Sequence, residues 1–133
     1  MGRLDTKFLF LAALALSIGV GMGIYMGIAH DFSLAPVHAH MNLLGWASLA
    51  LFGLTYRAYP ELQGRWPAKL HFALAVPSAI FFPVGIYLSI TQGKPLLAII
   101  ASLVWAAGVL LFLGQMAGLA FGGKSAPAPV SAE

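Results

Sequence analysis

Two histidines one residue apart, His38 and His40, head the stretch HAHMNLLGW, and two more, His30 and His71, lie elsewhere in the chain. Imidazole is the side chain that both titrates near neutrality and binds metal ions. Cysteine is absent, which removes disulfides, thiolate metal sites and cysteine nucleophiles and leaves histidine, methionine or oxygen as ligands. On a helix, residues two apart point about 200° from each other, so His38 and His40 face opposite sides and do not chelate one ion together. His38, Asn42 and Trp46 follow one face, while His40, Leu44, Ala47 and Leu51 follow another. Each imidazole therefore stands over mostly apolar surface. That suits a porphyrin, whose flat plate lies against helices while a histidine nitrogen binds its iron.

The elements that would position these rings are membrane helices. The chain has 133 residues, 60% hydrophobic and only 8% charged, against roughly 25% charged in an ordinary soluble domain. About 20 apolar residues cross about 30 Å of hydrocarbon as helix, and such runs lie near 8–29, 37–59, 69–90 and 95–121. The expectation is an all-α, integral membrane four-helix bundle over residues 1–122, with an Ala/Pro/Ser-rich tail at 123–133 that is disordered. The first run is too long for the apolar core of a signal peptide and reads as retained. Arg3 and Lys7, then Arg57, Arg65 and Lys69, then Lys124 fall on one side, and only Lys94 on the other. By the positive-inside rule both termini are expected in the cytoplasm, and the expected location is a bacterial inner membrane. This asymmetry explains a pI near 9.5 without nucleic acid as a partner.

Within the helices, Gly19, Gly23 and Gly27 recur at four-residue spacing and predict a groove for another backbone or a flat ligand. Pro60 is expected to end the second helix, with a loop from Glu61 to Pro67, and Pro77 and Pro83 to kink the third. Gln115 is expected to bond another helix. Trp46 and Trp105 are expected to pack and Trp66 to anchor at an interface. His30 and His71 lie beside charged or loop positions and read as interfacial rings, His30 being also a reserve ligand at the outer end of helix one. Met22 and Met26, near the outer histidines, admit a mixed copper site, with core packing as the default. Asp31 is the carboxylate at a membrane edge, and no phosphate loop or paired serine is present, so no hydrolase or transferase site is expected.

With these residues in view, HAHMNLLGW resembles the tenth helix of subunit I in haem-copper oxidases, especially the cbb-type oxidases and the nitric oxide reductases. There an H-x-H pair is followed by small residues and often Leu-Gly-Trp. In that family the first histidine of the pair ligates the high-spin haem and the second the low-spin haem, which correspond to His38 and His40. The stretch His40-Met41-Asn42-Leu43-Leu44, with Tyr56 and Pro60-Glu61 downstream, is also similar to the second helix of nitric oxide reductases, where it again implies His40 as a low-spin haem ligand. The likeness spans about 24 residues, His38 to Glu61. The whole chain has the size of one four-helix arc of the pseudo-symmetric subunit I.

The family's copper site needs a histidine on a further helix and an adjacent His-His pair, and this chain has neither. The resemblance thus implies a haem protein rather than a complete oxidase. The cofactor is haem b, since no cysteine is available for covalent attachment. Expected ligands are His40 first, then His38, with His30 in reserve, and Asn42 and Trp46 beside them. Two ligands at one depth imply a homo-oligomer, and electron transfer implies a respiratory partner. Two other readings stand beside this one: an outward-facing copper or zinc site built from His30, His38 and His40, and a cofactor-free assembly subunit of a respiratory complex.

Overall fold

A computed structural model describes residues 3–122, so the tail at 123–133 lies outside the described residues. Every element among the described residues is helical. Helix α1 runs over Leu4–Ala29. Helix α2 (Ala35–His40) passes without interruption into a π-helical segment, Met41–Ser48, and then into α3 (Leu49–Ala58). A short α4 (Pro60–Gln63) precedes α5 (Trp66–Gln92), and α6 covers Leu96–Phe121. Helices α1, α5 and α6 are each long and apolar enough to cross a membrane.

The boundaries follow from local chemistry. Arg3 Nη2 donates to Asp5 Oδ2 at 2.7 Å across the first turn of α1, with the aspartate side chain buried and the arginine exposed. His30 ends α1 in the left-handed region (φ 51°), a conformation that histidine adopts more readily than a branched residue. The Ser33 N–H then donates to Asp31 Oδ1 at 2.9 Å, holding that carboxyl below the ordinary aspartate range. Pro36 sits in the first turn of α2, where its missing N–H costs nothing. Pro60 does not simply end α3. It opens α4, so the expected loop from Glu61 is partly helical, and α5 begins at Trp66 with Pro67 in its first turn. The Gly93 turn uses φ 66°, and its N–H bonds Ser89 O at 3.1 Å. Helix α5 continues through Pro77 and Pro83.

The π segment was not foreseen. Ser48 Oγ donates to Leu43 O, five residues back, at 2.8 Å, the spacing of the wider helix.

Successive long helices pack antiparallel. Helix α1 lies on the π segment and α3, α5 lies on α2 and the π segment, and α6 lies chiefly on α5. Small residues set the closest approaches. A Cβ on Gly45 would stand 2.8 Å from Ala15 Cβ, and one on Gly53 would stand 3.0 Å from Asp5 O. Gly85 meets the backbone of Ala98 so closely that a Cβ there would overlap it, whereas one on Gly27 would meet nothing.

Gly85→Ala should therefore destabilise the protein and Gly27→Ala should not. Overpacking costs about 1–3 kcal/mol at Gly85, while Gly27→Ala is neutral or gains up to about 1 kcal/mol of helix propensity. Thermal denaturation of the detergent-purified variants reads both, and two shifts of the same sign would refute the packing assignment.

Candidate functional site

The four histidines occupy three environments. His38, half-buried on α2, packs against α1: a Cβ on Gly23 would stand 3.1 Å from its Cε1. Asn42 Nδ2 donates to His38 O at 2.9 Å and lies 3.4 and 3.5 Å from the two nitrogens of the same ring. The Asn42 amide in turn fills the space over Gly19, where a Cβ would fall 2.6 Å from it. The predicted glycine groove on α1 thus exists, and its occupants are His38 and Asn42. Gly27 lies open beyond it.

His40 faces α5 instead, its ring centroid 5.0 Å from that of Phe82. The two imidazoles thus meet different neighbours. His40 Nδ1 lies 2.8 Å from Pro36 O. A carbonyl only accepts, so Nδ1 carries the proton and Nε2 presents its lone pair. The carbonyl one helical turn back, at Pro36, thus fixes the tautomer. Metal-binding histidines are commonly oriented by a bond of this kind at the other ring nitrogen.

His30 is exposed at the end of α1. No three of His, Asp and Glu come together as a metal-holding group among the described residues. Trp46 is 42% exposed, past the start of the π segment. Met26 is buried in helix packing.

His71 departs from its expected interfacial role. It is fully buried, with ring centroids of Phe52, Phe112 and Phe8 at 4.5, 5.2 and 5.5 Å. Its Nδ1 lies 2.9 Å from the Tyr56 hydroxyl, which also bonds Gln115 through Oε1 at 3.3 Å and Nε2 at 3.1 Å. Gln115 therefore bonds another helix as expected. His71 Nε2 is buried with no partner. A buried lone pair costs less than an orphaned N–H, which favours Nδ1–H donating to Tyr56 and Tyr56 donating to Gln115 Oε1. Among the described residues Asp5, not Asp31, is the buried carboxylate. Both residues could have been found by register: Asp5, Phe8, Ala12, Ala15 and Gly19 form one buried stripe, and Ala68, His71, Ala75 and Ser78 another.

No family model, no curated protein and no solved structure matches the chain.

Tyr56→Phe removes the hydroxyl between His71 and Gln115 and should cost roughly 1–3 kcal/mol, the penalty for stranding buried polar groups. Tyr59→Phe, at an exposed ring, should cost nothing measurable. Comparing melting in detergent checks this, and equal melting of both variants would show that the buried network contributes no stability.

Proposed function

We propose that the protein is an integral membrane b-type cytochrome, in which His40 would hold the haem iron, with electron transfer as its task. The observation that supports this best is the His40 Nδ1 to Pro36 O bond at 2.8 Å, which leaves Nε2 as a ligand nitrogen on a ring whose orientation is already set. The sequence likeness around His40 points to the same nitrogen. Haem, when bound, supplies one-electron chemistry at a potential set by its ligands and the polarity around it. The chain supplies the fixed tautomer and the Phe82 ring beside the imidazole.

On this reading the continuous run from Ala35 to Ala58 is a fourth crossing beside α1, α5 and α6. At helical rise it spans about 36 Å, enough for about 30 Å of hydrocarbon. The bundle then corresponds to one arc of the oxidase subunit, in a bacterial inner membrane with both termini cytoplasmic and His40 at the outer side. His38 is held inside the chain between Gly23 and Asn42 and is the poorer candidate for an open ligand. A second haem ligand would have to come from another subunit, and the symmetric arrangement would be a two-fold dimer in which both chains present the same patch around His40. Electrons leave to a respiratory partner.

Absorption spectra of the detergent-purified chain, oxidised and dithionite-reduced, with pyridine haemochrome quantitation, test this. The expected result is a reduced low-spin b-type spectrum with one haem per two chains, abolished in His40→Ala and retained in His38→Ala. A colourless native protein from haem-replete cells would overturn the cytochrome reading, and loss in His38→Ala alone would overturn the ligand assignment.

A further inference from the structure

At the end of the bundle away from His40, a groove of about 770 Å³ runs between the start of α5 and the last turns of α6. Arg65 and Trp66 stand on one side, and Leu111, Gly114, Gln115 and Gly118 on the other. A Cβ on Gly114 or Gly118 would meet nothing within 4 Å, so the glycines leave a trough in α6 that no part of the described chain fills. Trp66 is 69% exposed. Arg65 is exposed and forms no ion pair among the described residues.

The charges of this end decide the occupant. Arg3 is paired with Asp5, while Lys7, Arg57, Arg65 and Lys69 are exposed. Glu61 faces an adjoining groove that shares Gly118 and Leu119 with this one. Cations thus outnumber carboxylates at a mouth whose interior is apolar. A second copy of the chain in parallel orientation would bring the same cations against themselves, which is unfavourable. An amphiphile with an anionic head and an aliphatic tail meets both halves of the groove, and clustered basic residues beside a membrane helix attract such lipids.

We infer that this groove is a binding site for one anionic phospholipid, its phosphate at Arg65 and an acyl chain laid over Gly114 and Gly118. The inference rests on the membrane reading above and is independent of haem. Gln115 lines the groove and also bonds Tyr56, so the lipid lies against the outermost member of the buried hydrogen-bonded chain.

The test is native mass spectrometry of the full chain released from nanodiscs holding equal amounts of phosphatidylglycerol and phosphatidylcholine. The native chain should retain phosphatidylglycerol preferentially. Arg65→Gln should lower that retention roughly fivefold, the effect of one basic residue at an anionic surface. Lys69→Gln removes the same charge from the same end without lining the groove and should lower it less than about twofold, by screening of a more distant charge. Gly114→Leu fills the trough and should also reduce retention, with the number of chains per complex unchanged.

Equal retention of the two lipids, or equal loss in Arg65→Gln and Lys69→Gln, would overturn the site in favour of diffuse attraction. A changed number of chains in Gly114→Leu would assign the groove to a second copy instead. A chain recovered in the soluble fraction without detergent would overturn the membrane reading itself, an outcome distinct from a membrane-embedded chain that shows no lipid preference.

Discussion

The hydrogen bond between Tyr56 and His71, 2.9 Å long and sealed from solvent, is the point on which the arrangement of helices depends. Each long helix contributes to it or to its enclosure: Phe8 from α1, Phe52 and Tyr56 from α3, His71 from α5, and Phe112 and Gln115 from α6. Apolar helices in an apolar surrounding have no strong preference among neighbouring registers, because sliding one past another exchanges one hydrocarbon contact for another. A buried polar pair breaks that degeneracy. Any register that separates Tyr56 from His71 leaves two or more stranded polar groups, each costing about 1–3 kcal/mol.

Glycines perform the complementary task. Where the aromatic knot fixes register, Gly19, Gly23, Gly45, Gly53 and Gly85 fix distance, since each stands where a methyl group would collide with a neighbouring element. The effect differs along the bundle. At Gly85 the saved volume admits the backbone of α6, and van der Waals contact results, as expected where lipid and protein are equally apolar. At Gly19 and Gly23 it admits an amide and an imidazole, so polar side chains lie inside the helix pair toward the end that carries His30. His40 is some 16 residues before Tyr56, about 24 Å along a helix. A ring so far from the knot keeps its position only because both the register and the spacing are fixed elsewhere.

Much of this was legible in the sequence, because the strongest signals are compositional. Three of the apolar runs are the long helices, Pro36 and Gly93 mark turns, Gln115 does bridge helices, and the two-residue spacing of His38 and His40 does send them to different neighbours. Depth of burial was much harder to read. Helices that are apolar on all sides carry no amphipathic stripe, so the face turned inward has to be inferred from the few polar residues it holds. His71, two residues from Lys69, reads as interfacial from its neighbour, and Asp5 lies between Arg3 and Lys7, whose charges give no sign that it is buried. Each is buried because its position falls on a row of alanines and glycines at spacings of three and four. The π segment Met41–Ser48, packed between α1 and α5, left no comparable trace in the sequence.

The two best-placed imidazoles share a tautomer and differ in consequence. In His40 the Nδ1 proton goes to Pro36 O, a partner in its own helix, so the ring is held without any other element, on a residue that is partly exposed. In His71 the Nδ1 proton goes to Tyr56 and the chain continues to Gln115 on α6, so the ring is satisfied only when three helices are assembled, and its Nε2 is closed in by phenylalanine rings. A ligand nitrogen needs room for the metal and for the group that carries it. His71 has the chemistry without the room, and its role follows as a tie between helices. His40 is partly exposed and is bonded within its own helix, so its ring orientation does not depend on a neighbouring helix. That difference in who supplies the proton acceptor separates the structural histidine from the candidate ligand.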